Sequence, residues 1–305
     1  MLRLKDLLAM GENQLEQANV PDYAHDARAL MEFAFNLDRS QMFMKWADDI
    51  DDVWCDNYLD IVHRRALGEP LQYITGVQNF MGIDFKVNEN VLIPRQDTER
   101  VVENARLIVE SKTTKKTADP ESPYIYETVA ARKNWKILDL CCGSGAIGIS
   151  MAKLCPNVKK VLCTDISGEA LAVAKENAKA AGVEKKVDFA SGDMFEALGK
   201  RAKFDMIISN PPYIESSIIP TLQREVREYE PMLALDGGED GLDFYRTIIE
   251  QAPKFLDKKG ILVLEIGYNQ AEEISAMLEE TDAFAKTEIV RDYGGNNRVV
   301  CALLK

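Results

Sequence analysis

The chain has 305 residues, of which 46% are hydrophobic and 29% charged, as in an ordinary globular protein long enough for two domains. Its 50 acidic and 37 basic residues give a net charge of −13, a poor balance for a protein that grips nucleic acid through the phosphates. The first residues carry frequent charges, and no apolar run approaches the ~18 residues of a membrane-spanning helix. We therefore expect a cytoplasmic protein without a secretory signal, a membrane segment or a direct nucleic-acid partner.

The cysteines and histidines give little reason to expect a disulfide or a metal site. The six cysteines contain no CxxC pair, and most lie in apolar stretches typical of buried strands or helices. Reduced thiols are therefore expected. With only His25 and His63 in the chain, neither a histidine-rich metal site nor a histidine-based triad is expected.

Residues 1–75 predict a helical domain. Leucines recur at helical spacing near the start, Asp22 is a candidate N-cap, and Gly68 is a candidate C′ residue. Six aspartates between positions 48 and 60 are most typical of a solvated face, and a docking surface for a basic partner is the alternative.

Residues 76–96 predict a β-hairpin that links two domains. Two alternating apolar stretches flank "VNEN", and Pro94 closes the segment. The following "DTERVVENARLIVE" predicts an amphipathic helix with Asp97 or Thr98 near its N-cap. The polar segment 111–135 predicts a loose loop or insertion.

From residue 136 the pattern alternates between strands and helices, which predicts an α/β fold. The last two predicted strands are separated only by "YGG", so they must pair antiparallel. Alternating units with such an edge pair predict a doubly wound sheet of seven strands within residues 97–305. Ligands of such sheets bind at the carboxyl ends of the strands. The predicted strands are "KILDLCC", "KVLCTDI", "KVDFASGD", "FDMIISN", "GILVLEIG", "TEIVRD" and "NNRVVCALL".

The segment "LDLCCGSGAIG" places a glycine-bearing turn directly after the first strand of that sheet. Gly143, Gly145 and Gly148 have the spacing of a dinucleotide fingerprint, and Asp165 ends the next strand about 20 residues later, where a carboxylate can accept ribose hydroxyls. The pattern favours a nucleoside-containing cofactor, and tight strand-to-helix packing alone is the alternative. A helix N-terminus suits the pyrophosphate of a nicotinamide cofactor or the carboxylate of S-adenosylmethionine.

Asp193 and Met194 follow the third strand. Asp193 can bind an adenine amino group while Met194 packs on the ring. The alternative for Asp193 is a helix N-cap, and both roles can hold together.

The fourth strand ends in Asn210, Pro211, Pro212 and Tyr213. Prolines cannot continue a sheet and hold their predecessors extended. A turn that ends the strand is the commoner outcome of an Asn-Pro pair. Alternatively, the Asn210 side-chain oxygen and the Pro211 carbonyl can accept the two N–H protons of a planar amide or amine, while Tyr213 covers that group. This predicts positioning of a planar nitrogen for methylation, with no dedicated strong base.

With these motifs the chain resembles the class I S-adenosylmethionine-dependent methyltransferases of the N-methylating group. It resembles most closely the PrmC/HemK family, which modifies peptide-chain release factors. NPPY alone is shared with DNA adenine methyltransferases, whereas the other segments are more specific, and together they cover most of the chain. The segments are "GEPLQYITG" (68–76), "VLIPRQDTE" (91–99), "NPPYI" (210–214), "EYEPMLALDGGEDGLDFYR" (228–246), "LEIGYNQ" (264–270) and "DYGGNNRVV" (292–300).

The resemblance implies a helical substrate-recognition domain (1–75), a hairpin linker (76–96) and a Rossmann-like methyltransferase domain (97–305). It implies a monomeric enzyme that uses S-adenosylmethionine to methylate the side-chain nitrogen of the glutamine in the Gly-Gly-Gln loop of release factors. The residues expected to hold the target amide are Asn210, Pro211, Pro212 and Tyr213. Those expected to bind the cofactor are Cys141, Cys142, Gly143, Ser144, Gly145, Asp165, Asp193, Met194 and Asn210.

Three features depart from the family pattern. Cys141 and Cys142 stand where Gly-Thr is usual, so the leading positive-φ glycine is absent. Gln96 replaces a proline, and the segment 111–135 is longer than expected.

Three other functions stay open at this point. A nucleic-acid adenine N-methyltransferase is weakened by the net charge, and a nicotinamide-dependent dehydrogenase leaves NPPY unexplained. A silent binding module that uses its acidic helical domain is weakened by the intact Asn210 and Asp165.

Overall fold

A computed structural model describes residues 2–305, which form two compact units. One unit contains the chain up to Val77 together with the short excursion Leu222–Tyr229. The other contains Gln78–Thr221 and Glu230–Lys305. No sequence pattern indicated that residues 222–229 join the N-terminal unit.

Helices account for most of the first unit and alternate with strands in the second. The helices are α1 (Leu4–Gln17), α2 (Tyr23–Phe35), α3 (Arg39–Met44), α4 (Asp52–Ala66), α5 (Leu71–Thr75), α6 (Gln96–Val109), α7 (Ile125–Thr128), α8 (Ala146–Leu154), α9 (Gly168–Ala180), α10 (Arg224–Tyr229), α11 (Asp243–Phe255) and α12 (Ala271–Glu280). The strands are β1 (Leu2–Arg3), β2 (Asp49–Ile50), β3 (Val77–Phe80), β4 (Ile83–Lys86), β5 (Trp135–Leu140), β6 (Val158–Asp165), β7 (Val187–Ser191), β8 (Phe204–Ser209), β9 (Leu256–Glu265), β10 (Phe284–Arg291) and β11 (Asn297–Leu304). Short 3₁₀ helices cover Met194–Ala197, Ile219–Thr221 and Met232–Ala234.

The predicted helical region at the N-terminus is confirmed. Its helices bury one apolar face each, so that Leu7 and Leu15 of α1, Leu30 of α2 and Tyr58 of α4 share a core. The Tyr58 hydroxyl donates to the Ala27 carbonyl across 3.1 Å, which satisfies a buried polar group.

Two predictions about helix ends in this unit have different outcomes. Gly68 lies just after the end of α4 with φ +99°, as a C′ glycine should. Asp22 precedes α2, but its side chain makes no capping hydrogen bond to a described residue.

The buried Arg65 of α4 holds α10 within the first unit. Its Nε donates to Asp26 Oδ2 across 2.7 Å, and its Nη1 lies 2.7 Å from Glu225 Oε2 of α10. The Tyr229 hydroxyl donates to the Leu67 carbonyl across 3.3 Å. These contacts explain why an excursion from the middle of the chain belongs to the N-terminal unit.

The hairpin turns at Met81 and Gly82, earlier than the sequence predicts. Both residues have positive φ, +53° and +73°, which matches the twist of a two-residue hairpin turn. β3 and β4 form its two-stranded sheet, whereas "VNEN" follows β4 and carries no strand. The predicted turn at "VNEN" is therefore wrong.

The second unit is built on the predicted seven-stranded sheet, with strand order β10-β11-β9-β8-β5-β6-β7. Strands β5 to β9 are parallel to one another, and β11 pairs antiparallel with both β9 and β10. Neighbouring residues of one strand pack on opposite faces. Ile137 of β5 packs with α6, α8 and α9, while Leu138 packs with α11 and α12. Burial on both faces explains why the strands are continuous apolar runs.

The segment 111–135 is largely irregular, as the sequence predicts, but part of it packs into the core on one face of the sheet. Ile125 begins the short α7 and is fully buried in the sheet-facing core. Its backbone N–H donates to Glu288 Oε2 of β10 across 2.8 Å, and the hydroxyls of Ser111 and Thr113 both donate to the Tyr126 carbonyl. Val129 and Trp135 are buried in the same core, so several apolar side chains and a few polar contacts attach the segment to the sheet.

Two further properties concern the described chain as a whole. Its six cysteines are free thiols. Among the helices of residues 2–305, none combines the length and apolar character needed to cross a membrane.

Candidate active site

A cavity of about 390 Å³ lies where β5, β6, β7 and β8 end, as expected for an open α/β sheet. Most of the residues that the sequence singled out meet there. Among the predicted site residues, Gly145, Pro211 and Tyr213 lie outside the described lining. Those in the lining are Cys141, Cys142, Gly143, Ser144, Asp165, Asp193, Met194, Asn210 and Pro212.

The Asp165 carboxylate braces the turn after β5. Its Oδ2 accepts from the Gly143 N–H across 2.8 Å, and its Oδ1 accepts from the Ser167 N–H across 2.9 Å. Each carboxylate oxygen has a second lone pair, so Asp165 can still accept hydrogen bonds from a ligand in the cavity.

The glycines of the turn serve three different purposes. Gly143 has φ +53° with open space around its missing side chain, so backbone conformation is the constraint there. Gly145 has φ +79°, and a Cβ would also lie 2.7 Å from Ile149 Cδ1. At Gly148 a Cβ would lie 2.7 Å from Cys163 Sγ, so this glycine allows α8 to pack closely on the sheet.

Cys141 occupies the position of the missing leading glycine and takes the conformation of a glycine. Its φ is +58°, in the left-handed region that costs an ordinary residue about 1–2 kcal/mol. Its Sγ lies 3.7 Å from Sδ of Met194. Burial raises the pKa of the Cys141 thiol, and the Asp165 carboxylate raises it further. The cavity wall therefore presents a neutral, polarisable sulfur pair rather than a reactive thiolate.

Asp193 precedes the 3₁₀ helix Met194–Ala197 without capping it through its side chain. The side chain makes no capping hydrogen bond within the described chain, and Asp193 lines the cavity. The predicted N-cap is thus right in position but not in its hydrogen bond.

The side chain of Asn210 is held on one side. Its Nδ2 donates to Oγ1 of Thr98 in the first turn of α6, across 3.3 Å. As the sequence predicts, Thr98 lies near the N-cap of α6, which is Arg95, and no described side chain caps the helix by a hydrogen bond. The Thr98 hydroxyl instead meets the NPPY segment.

Tyr213 points its hydroxyl at Glu265, the last residue of β9. The hydroxyl donates to Glu265 Oε1 across 3.2 Å. Burial raises the pKa of the Tyr213 phenol, and the Glu265 carboxylate raises it further, so the phenol remains protonated.

Hydrogen bonds from two other sequence motifs hold the backbone at the end of NPPY. Gln270 Nε2 donates to the carbonyls of Tyr213 and Gly241, across 3.0 and 3.2 Å. The Gly237 N–H donates to the Ile214 carbonyl across 2.8 Å. These contacts give "LEIGYNQ" and the glycine-rich tail of "EYEPMLALDGGEDG" a physical role, which is to fix the NPPY backbone.

Arg95 pins the end of the linker to the segment that follows α10. Its guanidinium forms an ion pair with the buried Glu230 carboxylate, and Arg95 itself lines the cavity. Pro231 and Leu233, from the same segment as Glu230, also line it. The ion pair with Glu230 therefore holds the end of the linker in place.

Sequence reasoning missed the residues that support the site. Thr98 had no signal beyond its position near a helix start, and Gln270 had only its place in a quoted segment. Glu265 could have been noticed, because a carboxylate that ends a fully apolar strand is unusual inside a protein.

The lining suits S-adenosylmethionine. A cavity of about 390 Å³ falls in the range of small-molecule sites. The glycine turn brings backbone N–H groups near a helix N-terminus, where a carboxylate binds well. Asp165 and Asp193 add acidic groups that suit a ribose, an amino group and a cationic sulfonium.

Comparison with known proteins identifies both parts of the chain. Residues 6–76 match the family described as PrmC N-terminal domain, and residues 113–228 match the methyltransferase small domain. A release factor glutamine methyltransferase of Clostridium acetobutylicum is 37% identical over 303 residues, which are 99% of each chain. A protein of the same name from Geobacter sulfurreducens is 37% identical and covers 97% of this chain and 95% of its own.

Solved structures support the fold at low sequence identity. A methyltransferase from Pyrococcus furiosus has a TM-score of 0.50 at 15% identity, covering 81% of this chain and 98% of its own. The catalytic domain of hMettl16, solved in complex with a MAT2A 3′UTR hairpin, has a TM-score of 0.51 at 13% identity, covering 80% and 81%.

The two relatives are similar to this chain from end to end, and the seven-stranded sheet is that of class I methyltransferases. The protein is thus a methyltransferase that takes its methyl group from S-adenosylmethionine, and it belongs to the release factor glutamine methyltransferase family.

Proposed function

We propose that this protein methylates the side-chain amide nitrogen of the glutamine in the Gly-Gly-Gln loop of peptide-chain release factors. The observation that carries the proposal is the fixed amide of Asn210 at the edge of the cofactor cavity, in a chain whose relatives bear that activity in their names. The protein acts as a monomer in the cytoplasm, where release factors work, with no nucleic acid as its substrate.

The cofactor lies along the ends of β5, β6 and β7. When bound, S-adenosylmethionine supplies an electrophilic methyl group on a positively charged sulfur. Asp165 uses its remaining lone pairs for the ribose hydroxyls, and Asp193 accepts from the adenine amino group. Cys141 and Met194 provide the polarisable wall beside the ring.

The target amide lies against the NPPY segment. The Asn210 side-chain oxygen and the Pro211 carbonyl accept its two N–H groups, which become stronger donors as positive charge develops on nitrogen. These acceptors therefore stabilise the transition state more than the ground state. Pro212 and Tyr213 complete the segment, and the Gln270 clamp keeps it in place.

In this proposal, three parts of the chain have separate roles. Residues 1–75 recognise the release factor, the hairpin linker 76–96 connects the domains, and residues 97–305 carry out the transfer.

Mass mapping of a bacterial release factor after incubation with this protein and S-adenosylmethionine tests the proposal. We expect one added methyl group on the Gly-Gly-Gln glutamine, and none on a release factor in which that glutamine is replaced by glutamate. Asn210→Ala should abolish the transfer while leaving the cofactor dissociation constant nearly unchanged. If the wild-type protein binds the cofactor but transfers no methyl group, the proposed substrate is wrong. Equal losses of binding and turnover in Asn210→Ala would contradict the platform role.

A further inference from the structure

Arg298, near the start of β11, lies in the segment "DYGGNNRVV", to which the proposed transfer assigns no role. It is 9% exposed, and Nη1 of its guanidinium donates to the Ile266 carbonyl across 3.2 Å. Its Nη2 lies 3.1 Å from Oδ2 of Asp97. Nε and Nη2 also donate to Oδ2 of Asp292, across 3.4 and 3.2 Å. One buried cation thus ties together the first turn of α6, the end of β9 and the turn between β10 and β11.

The contact with Asp97 bears on the side chain that holds the target amide. Asp97 lies directly before Thr98 in the first turn of α6, and Thr98 Oγ1 accepts from Asn210 Nδ2 across 3.3 Å. The first N–H groups of a helix have no partner within it, and no described side chain caps α6. The ion pair with Arg298 therefore helps to hold this turn, and a shift of the turn moves Thr98 and Asn210.

The contact with Ile266 bears on the other end of the NPPY segment. Ile266 follows Glu265 directly, and Glu265 Oε1 accepts from the Tyr213 hydroxyl across 3.2 Å. The pairing of β9 with β11 reaches Glu265, which lies opposite Val299. Beyond it, the Ile266 N–H donates to the Arg298 carbonyl across 2.9 Å, so Ile266 is bonded to Arg298 by both its N–H and its carbonyl. These two bonds fix the backbone next to Glu265, and thereby the acceptor of the Tyr213 hydroxyl.

We propose that Arg298 is a positioning residue for methyl transfer, which holds the side chains of both Asn210 and Tyr213 in place. It acts on Asn210 through the first turn of α6 and on Tyr213 through the end of β9. Arg298 lies outside the described lining of the cavity, so it need not touch the cofactor or the target amide. The inference rests on the proposed function, because it assigns a role within the same transfer reaction.

The shape of the arginine side chain matters as much as its charge. A guanidinium offers its donors in a rigid planar fork, whereas the ammonium of lysine is a point charge with all its donors on one atom. All three side-chain nitrogens of Arg298 are in use, toward Ile266, Asp97 and Asp292. A lysine at this position keeps the positive charge but cannot keep the three contacts at once.

Arg298→Lys in the full chain tests the proposal. We expect kcat on a release factor to fall about tenfold or more, because a small displacement of Asn210 and Tyr213 misaligns the target amide. The KM for S-adenosylmethionine should stay within about twofold, since the described contacts of Arg298 do not reach the glycine turn or Asp165. A kcat within about twofold of wild type would overturn the proposal.

Arg132→Lys is the matched control. Arg132 also pairs with an aspartate, Asp205, across 2.9 Å, and its Nη2 donates to the carbonyls of Lys258 and Lys259 across 2.9 and 2.6 Å. These partners lie where β8 and β9 begin, at the opposite edge of the sheet from the cavity. Both variants lose hydrogen bonds to a charged group, so urea unfolding should show a loss of stability in each. Only Arg298→Lys should lose kcat, and an equal loss of kcat in Arg132→Lys would overturn the proposal.

Asp97→Ala keeps the test decisive if Arg298→Lys does not fold. The Asp97 side chain is 53% exposed, so the fold should tolerate its removal, but the connection from Arg298 to the first turn of α6 is lost. We expect kcat to fall about threefold or more, with the KM for S-adenosylmethionine within about twofold. An unchanged kcat in Asp97→Ala would overturn the proposal.

A measurement without substrate separates this proposal from the proposed function. If the wild-type protein transfers no methyl group to a release factor, the proposed function fails, and the nuclear magnetic resonance signals of the Asn210 side-chain amide test the role of Arg298. These signals are assigned by their absence in Asn210→Ala. They should shift in Arg298→Lys and keep their positions in Arg132→Lys. Unmoved signals in Arg298→Lys would overturn the proposal.

Discussion

Gln270 donates a hydrogen bond from Nε2 to the carbonyl oxygen of Tyr213, 3.0 Å away, and thereby ties the start of α12 to the NPPY segment. The same nitrogen donates to the Gly241 carbonyl, and its Oε1 accepts from the Gly267 N–H across 2.9 Å. The buried amide thus meets two acceptors on one side and a donor on the other. No other uncharged side chain of similar shape reproduces that pattern.

Replacing Gln270 by glutamate should weaken the fold. The new carboxylate would face the carbonyls of Tyr213 and Gly241 without a proton to share, at a cost of about 2–3 kcal/mol in the free energy of unfolding. Urea denaturation at pH 8 measures this change. Asn269→Asp makes the same chemical change at the exposed neighbouring residue and should stay within about 0.5 kcal/mol of wild type. Equal losses in the two variants would show that charge alone, not the clamp, is responsible.

Gly241→Ala should displace the NPPY backbone. A Cβ at Gly241 would lie 2.5 Å from the Tyr213 carbonyl oxygen, and the residue has φ +73°. We expect a loss of methyl transfer of at least about tenfold, because a small misplacement of reacting groups is costly. Gly295→Ala is the matched control, since Gly295 has φ +87° with nothing within 4 Å of an added Cβ.

The two glycine variants share the backbone strain and differ in the clash. Both should be destabilised by roughly 1 kcal/mol from the positive φ, as measured by thermal unfolding. Only Gly241→Ala should lose activity. Normal kcat in that variant would mean that the NPPY segment tolerates movement of its support.

Asp165→Asn should weaken cofactor binding. The amide keeps the shape of the side chain but replaces one acceptor by a donor, so contacts to the Gly143 N–H and to the ribose cannot both survive. Hydrogen bonds to charged groups are worth about 1.5–3 kcal/mol, so the dissociation constant should rise roughly 10- to 100-fold. Calorimetric titration with S-adenosylmethionine measures it, and Asp188→Asn on the exposed face of β7 is the control. An unchanged constant would remove Asp165 from the binding site.

Asp139 should make stability decrease as pH rises. It is fully buried beneath the glycine turn, and burial raises its pKa to about 7. The hydrogen bond that Oδ2 accepts from the Gly148 N–H lowers the pKa, whereas the Asp165 carboxylate raises it. In the unfolded chain it titrates near pH 4, so the folded state binds more protons between about pH 4 and 7. The stabilising effect of protonation is complete below pH 4 and is lost as the pH rises to about 7.

The difference in unfolding free energy between wild type and Asp139→Asn isolates this carboxyl. Asparagine cannot ionise and can still accept from Gly148. The variant should therefore gain stability relative to wild type as the pH rises from 4 to 8, by on the order of 3 kcal/mol. A difference that stays constant with pH would mean that Asp139 ionises normally in the fold.

The sheet could be predicted from the sequence because its strands carry the information locally. Strands such as Phe204–Ser209 are buried on both faces, so each is a short apolar run bounded by polar or glycine residues. The short link "YGG" leaves β10 and β11 no choice but to pair antiparallel. The cavity followed from the same reasoning, because parallel strands end at one edge.

The hairpin turn and the segment 111–135 could not be located in the same way. Met81 is not a residue that favours positive φ, and "VNEN" has the polar composition that turns usually have. The packing of residues 111–135 involves the burial of Ile125 and Val129 in the core beside the sheet, contacts that no local pattern specifies.

The residues that hold the site in place could not be predicted from the sequence for a related reason. Thr98 and Asn210 are 112 positions apart, and Gln270 and Tyr213 are 57 positions apart. Periodicity and capping rules describe neighbours along a helix or strand, so they cannot reveal such contacts. Cys141 differs, because its position in the glycine turn already demanded a positive φ, and the structure shows that a cysteine can supply it.

The assignment of Leu222–Tyr229 to the helical unit limits how recombination can exchange segments of this protein with those of a relative. Glu225, the partner of the buried Arg65, is encoded far from the rest of that unit, between the NPPY segment and Glu230. A recombination event that exchanged residues 1–77 with those of a relative would bring in a new helical unit but keep the old α10. The buried arginine and its acidic partner must therefore change together, and the N-terminal unit cannot be shuffled as an independent module.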